Sequence, residues 1–465
     1  MTSRTMILRT AIHAPAPYNR PPGVRFNVPP ARLPDGVSDI IDVDGPTTKP
    51  VVTRCRMTDI KETDVAGVKK VDLDALQVDI EKWAGVECLH ITKWDVGRHH
   101  IVYRCQLHKK GKNGLEHIIV RLCKPCLREK KLASETATIR YIRKRVLLIP
   151  IPPVFYVNLS PDNPVGCEFS FQRLATGVNA EIMWTIWQYE DKVKVVDNVA
   201  DMMHALFTHR LTTEGYGALL PSSNKPETIA GWMAGPAITE EMLDRSFDAP
   251  KRGRRNEQAK PRLPVPCGPW ESPSDWMGAN IKNQLRYLEH TPEEACQSVG
   301  WDLKTLPKAL DGHKRLLRQM VHLASVVPCP PSLPNSVSPA LWRPSLKLAD
   351  IMTLPESGEI TALLDWELTV IVPLWQAAVV PSFLVGSSPA DAEAMERYRT
   401  RFVDRMHELD TQMAELDPWT VKWHDCYTQG LLFRQIKEHC DKQWYELNEK
   451  TQKVVNQWAA LARKA

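Results

Sequence analysis

The sequence predicts an α+β chain in two lobes, a small antiparallel sheet carrying one helix and then a mainly helical region. Three observations point there. Between residues 71 and 174, short strand-like runs surround a single helical stretch in the order β-β-β-α-β-β. From Ala180 onward the apolar spacing turns helical. Two short strand-like runs, 347–354 and 359–365, then interrupt the helices before long helical segments fill residues 390–465.

The elements follow in order. Residues 1–70 are proline-rich and poorly periodic, which predicts a tail and linker. Residues 72–84 place Leu73, Leu76, Ile80 and Trp83 on one helical face. Strands are predicted at 88–93 and 101–107 around the turn Asp95-Val96-Gly97-Arg98, and a third at 117–122 beyond a charged tip at 109–114. Ser134 offers an N-cap for a helix reaching about Arg145, and the X-Pro pairs at 150–153 stop it. Strands at 154–157 and 168–172 complete the small lobe, 71–174. The larger lobe, 175–465, is predicted to carry helices at 184–187, 192–207, 276–289, 292–297 and 312–325. Trp419, Trp423, Leu431, Leu432 and Phe433 are expected to pack onto it.

Bulk properties exclude several classes. A net charge of +5 over 465 residues, with no clustered basic face, argues against a nucleic-acid partner. The run Lys251-Arg252-Gly253-Arg254-Arg255 reads as a solvated loop. No uninterrupted apolar run reaches the roughly 20 residues of a membrane span. The most apolar stretch, 362–385, is broken by Asp365, Glu367, Pro373 and Pro381. Eleven scattered cysteines with one C-x-x-C pair, Cys123 and Cys126, suit an intracellular chain of reduced thiols. Five arginines and no acid before Asp35 suit a mitochondrial targeting segment, whereas the prolines there suit a tail, leaving mitochondrial and cytoplasmic locations open.

Five segments carry a specific resemblance: SETATIRY at 134–141, IPIPPV at 149–154, NPVGCEF at 163–169, LWRPSLKLADI at 341–351 and EITALLDWE at 359–367. Together they resemble the aminoglycoside phosphotransferase (APH) type of protein-kinase-like fold, over about residues 71–384. VDLDAL at 71–76, GYG at 215–217 and GPWES at 268–272 are similar to a fungal branch, the altered inheritance of mitochondria protein 9-like proteins.

The resemblance implies roles for particular residues, with ATP and Mg2+ as the cofactors. Phosphoryl transfer needs cations on the phosphates, metal ligands and a group that orients the acceptor hydroxyl. Arg121, on the third strand, and Glu135, on the following helix, match the phosphate-binding cation and its partner. Gly97 matches the loop that covers phosphate. Asp365 matches the metal-binding aspartate, and Asp350 stands where the family has a metal-binding asparagine.

Ser345 departs from the pattern: it occupies the position of the family's base aspartate, and serine is no base at neutral pH. Arg343 and Lys347 replace two histidines beside it. The sequence therefore predicts a catalytically degenerate kinase-like protein, a pseudokinase, with weak or no nucleotide binding and a scaffolding or regulatory role. The alternative is an active ATP-dependent phosphotransferase acting on an unidentified hydroxyl acceptor, because positioning and charge carry much of this chemistry. A third reading, an interaction protein built on the C-terminal helices, needs only their apolar faces.

Overall fold

Leu76 and Ile80, one helical turn apart, are fully buried and seat α1 (Leu73–Ala84) under the small sheet; Asp72 caps that helix by accepting from the Ala75 amide at 3.0 Å. The computed structural model describes residues 71–108, 115–124, 130–209, 211, 213–222, 231–239, 266–300, 307–385 and 392–464. The N-terminal segment, the charged tip at 109–114, Cys126 and the basic run at 251–255 lie outside the described residues.

Five strands form the small antiparallel sheet: β1 (Cys88–Val96), β2 (His100–His108), β3 (Leu115–Cys123), β4 (Val154–Asn158) and β5 (Phe169–Arg173). Their order is β1-β2-β3-β5-β4. Alternation along β2 buries Ile101, Tyr103, Cys105 and Leu107, which share a core with Phe169 and Phe171 of β5 and with the α1 face. Trp83 of α1 closes that core, stacked 5.7 Å from Phe155.

Between β3 and β4 runs α2 (Lys130–Arg145), which differs from expectation at its start. Ser134 does not cap the helix. It is buried within it, one turn past Lys130, because Lys131 and Glu135 are both drawn into the interior. The C-terminal half of α2 enters a different core. Ile139, Tyr141 and Ile142 pack among residues of the large lobe.

The large lobe begins with β6 (Val178–Asn179), α3 (Ala180–Trp184) and α4 (Tyr189–Thr208). Against α4 lies the helix Ala392–Leu416, tied by Arg401 to Asp197 at 2.7 Å and by Arg405 to Asp201 at 2.8 Å. Helices Pro273–His290 and Pro307–Val326 pack together, and Trp423–Gln429, Leu431–Asp441 and Glu449–Ala462 complete the lobe. Trp423 and Phe433 are buried as expected. Trp419 and Leu431 are not: Trp419 is 87% exposed and Leu431 faces solvent, since both fall at the breaks between helices rather than on their inner faces.

Two small sheets stiffen the region facing the small lobe. One has the order β8-β7-β12-β9, formed by β7 (Gly217–Pro221), β8 (Trp232–Gly235), β9 (Pro339–Trp342) and β12 (Val370–Pro373). Gly217 has φ +145°, and a Cβ there would meet the Gly235 carbonyl oxygen, so the glycine that ends GYG permits close strand approach. The other sheet, β11-β10-β6, contains β10 (Ile351–Thr353) and β11 (Ile360–Leu363). The expected strand at 347–354 is shorter than its apolar pattern, because Leu348–Asp350 turns as a single 3-10 helix. Among the described residues, no helix is long and apolar enough to cross a membrane. A small antiparallel sheet with one helix, a mainly helical lobe and a late β10–β11 hairpin together make a two-lobed kinase-like α+β fold.

Candidate functional site

β9 leads into a loop that ends at Asp350, and β11 leads into a second loop that carries Asp365. The two loops are tied together, since the Leu364 amide donates to the Asp350 carbonyl at 2.8 Å. Antiparallel pairing of Ile351 with Leu363 fixes their register. Asp365 and Asp350 are thereby neighbours. Asp365 takes φ +58°, a left-handed conformation that aspartate tolerates better than most residues. The turn is held by Trp366, whose indole N–H donates to the Leu363 carbonyl at 3.0 Å, and by the Thr369 hydroxyl, which donates to the Trp366 carbonyl at 2.9 Å. Its side chain is 40% exposed.

Arg121 reaches Asp365 from β3. Its Nη2 lies 3.1 Å from Asp365 Oδ1 and 3.1 Å from Glu135 Oε1 of α2, so one guanidinium joins strand, helix and the large lobe. Behind it lies a buried set of charges. Lys131 Nζ is 2.9 Å from Glu367 Oε2, and His100 is 3.0 Å from Glu367 through Nδ1 and 3.3 Å from Glu135 through Nε2. The Lys131 side chain is only 1% exposed. His100, Glu135 and Glu367 also converge closely enough to suggest a metal cluster. Lys131 and Arg121 already supply positive charge there, so an ion pair network describes it better.

The electrostatics follow from a charge count. Arg121 and Lys131 face three carboxylates, Glu135, Glu367 and Asp365, so a protonated His100 brings the network to neutrality. Burial and the two cations oppose that proton, yet Glu367, with Cys123, lifts the His100 pKa from 6.5 to about 10. Burial likewise opposes ionised Glu135, but Arg121, His100 and Lys131 bring it down from 4.5 to about 2. Glu367 is also held well below the usual carboxylate range.

The sign of the pH dependence is set by these directions. His100 binds its proton more tightly when folded, so its contribution is complete below pH 6.5 and is lost as pH rises through about 10. Glu135 contributes fully above pH 4.5, and its contribution is lost as pH falls through about 2. The melting temperature should therefore fall between pH 6.5 and about 10, and His100→Gln should flatten that fall. An unchanged alkaline slope in the variant would remove His100 from the explanation.

The β9–β10 loop holds another pair. Arg343 Nη2 lies 2.6 Å from Asp350 Oδ2, and the Lys347 amide donates to the same oxygen at 3.0 Å. The Arg343 side chain is 6% exposed, its Cζ sits 5.3 Å from the Trp366 ring centroid, and its Nε donates to the Ser345 carbonyl at 3.2 Å. Burial pulls the Arg343 pKa below its ordinary value, and burial also raises that of Asp350 despite the neighbouring guanidinium.

The residues singled out in the sequence fall as follows. Arg121, Glu135 and Asp365 come together, and Asp350 lies beside them. Ser345 is exposed on the β9–β10 loop. Gly97 sits in the β1–β2 turn, where its carbonyl accepts from Lys124 Nζ at 2.7 Å. A Cβ at Gly97 would meet only ordinary contact, so its geometry does not demand glycine. Cys123 is a buried free thiol. Sequence reasoning missed His100, Lys131 and Glu367 as members of the network. The signal for Lys131 was its position four residues before Glu135, one turn away on the same face.

No protein-family model matches the chain. In sequence and in fold it is similar to the proteins that follow. Among named proteins it is similar to a subtelomeric hrmA-associated cluster protein of Aspergillus fumigatus, 25% identical over 305 residues, 59% of this chain and 57% of the relative. It is also similar to altered inheritance of mitochondria protein 9, mitochondrial, of Yarrowia lipolytica, 23% identical over 220 residues, 45% of this chain and 37% of the relative. The matched part thus spans less than two thirds of each relative. Among solved structures, the GDP complex of aminoglycoside 2'-phosphotransferase-IIIa overlaps 84% of this chain and 98% of its own, at 13% identity and a TM-score of 0.37. APH(3'')-Id from Streptomyces rimosus, in complex with ADP and streptomycin, overlaps 77% and 97%, at 11% identity and a TM-score of 0.32.

Proposed function

We propose that this chain is a catalytically degenerate kinase-like protein, a pseudokinase of the aminoglycoside phosphotransferase type. Its role is scaffolding or regulatory, and its cleft takes a nucleotide weakly. The observation that carries this reading is the Arg343–Asp350 ion pair at 2.6 Å beside Ser345. The loop that would present a proton acceptor to a hydroxyl presents instead a serine, flanked by a buried guanidinium that is bound to the neighbouring carboxylate. A serine hydroxyl donates a hydrogen bond but does not take up a proton at neutral pH.

Residues 71–174 and 175–465 act as the two walls of this cleft, with Gly97, Arg121 and Glu135 on the nucleotide side and Asp350 and Asp365 on the opposite side. The test is ATP hydrolysis by the full chain with magnesium present. No turnover above background is expected. An ordinary kinase rate, about 1–100 per second, would overturn the reading.

The second reading, an active phosphotransferase with a rearranged mechanism, is favoured by the Arg121–Glu135 contact at 3.1 Å and by the presence of Asp365. Such a protein would orient its acceptor by position alone and would pass the same assay at a low but measurable rate. A mitochondrial address is supported by the acid-free arginine segment before Asp35 and by the name of the Yarrowia relative. A fluorescent reporter carrying residues 1–34 that stays in the cytosol would remove that address.

A further inference from the structure

Divalent metal is the cofactor that the resemblance implies at Asp350 and Asp365, and the side chains present do not fit it. Magnesium takes oxygen ligands in near-octahedral geometry, and a carboxylate oxygen already committed to a fixed guanidinium is a poor ligand for it. Here Asp350 Oδ2 already accepts from Arg343 Nη2 at 2.6 Å and from the Lys347 amide at 3.0 Å. Asp365 Oδ1 is held by Arg121 at 3.1 Å. One oxygen of each carboxylate that a metal would need is thus bound by a guanidinium from its own chain.

We infer that Arg343 is a tethered replacement for the metal ion, and that the cleft excludes divalent cations. The inference rests on reading Asp350 and Asp365 as the positions of the family's metal ligands. Three features make Arg343 a resident of the site. It is buried, it lies over the Trp366 ring, and its Nε is anchored by the Ser345 carbonyl. Its Nη1 is also buried and makes no hydrogen bond among the described residues. A divalent ion placed beside it meets a buried cation that cannot withdraw into solvent. Lysine or histidine in that place could give up a proton to make room. Arginine cannot, since it stays charged at any pH the protein survives.

The experiment titrates Mn2+ into the full chain in the presence of ADP and reads free Mn2+ by electron paramagnetic resonance. The wild-type chain should leave free Mn2+ at the level that ADP alone sets. Arg343→His and Arg343→Gln, checked for native circular dichroism, should each retain Mn2+ at least about tenfold more tightly, because the like charge is gone. Adding Asp365→Asn to either variant should release it.

Wild-type chain that holds Mn2+ and loses it on Asp365→Asn overturns the inference, as do two folded Arg343 variants that hold none. If neither Arg343 variant folds, the wild-type measurement decides alone. Failure here is distinguishable from failure of the pseudokinase reading. ATP turnover by a chain that retains no Mn2+ would end that reading and leave metal exclusion standing.

Discussion

Replacing Lys131 by methionine is expected to lower the free energy of unfolding by about 3–5 kcal/mol, the usual cost of breaking one side of a buried ion pair. The ammonium lies 2.9 Å from Glu367 and 2.8 Å from His100 Nε2, at 1% side-chain exposure, so water cannot take its place. Burial opposes its charge, yet Glu367 and Glu135 are among the groups that hold it protonated above its ordinary value. Methionine keeps the length and apolar stem and deletes only the charge, leaving the network one cation short. Urea denaturation of both proteins would measure the difference. Lys131→Met combined with Glu367→Gln should recover part of the loss, because the orphaned carboxylate is then neutral. A single-variant loss below about 1 kcal/mol, typical of exposed pairs, would mean that Lys131 is no counter-ion to the cleft.

The largest kinetic effect is expected from Arg343→His, Ser345→Asp and Lys347→His made together. A restored general base is worth about 10² to 10⁴ in rate, so ATP hydrolysis should rise from background by that order. Ser345→Asp alone should gain little. Arg343 Nε already reaches the Ser345 carbonyl at 3.2 Å, so a new carboxylate would find a guanidinium within reach and be drawn out of position. The triple change removes that competitor and frees Asp350 from its 2.6 Å partner. Steady-state hydrolysis in magnesium would measure both variants. Equal rates in wild-type, single and triple proteins, all folded, would mean that the loss of function extends beyond this loop.

Much of the fold could be read from periodicity, because burial on one face imposes it. The alternation of Ile101, Tyr103, Cys105 and Leu107 marks β2, and the Leu76–Ile80 spacing marks α1. The start of α2 was misread for a physical reason. Lys130 and Lys131 look like a solvated loop, and the carboxylate that Lys131 meets in the interior, Glu367, lies more than two hundred residues away. The same holds for His100. Nothing near it in sequence foretells that two glutamates from different lobes will meet its ring. Trp419 was misjudged in the opposite direction, since an aromatic residue at a helix break has no inner face to occupy. Arg121, Glu135 and Asp365 were legible as residue types in a resembling pattern. The Arg343–Asp350 pairing was not, because two changed positions seven residues apart reveal their partnership only once the loop is closed.

The helix α2 lends Lys131 and Glu135 to the charged network and Ile139 and Ile142 to the core of the large lobe. It has no allegiance to one lobe, and the side chains of Arg121, His100 and Lys131 reach across the cleft to Asp365 and Glu367. Separating the lobes would break the Arg121–Asp365, Lys131–Glu367 and His100–Glu367 contacts together. The small sheet and the helical core therefore share a helix as well as an ion-pair network, which couples the opening of one to the other.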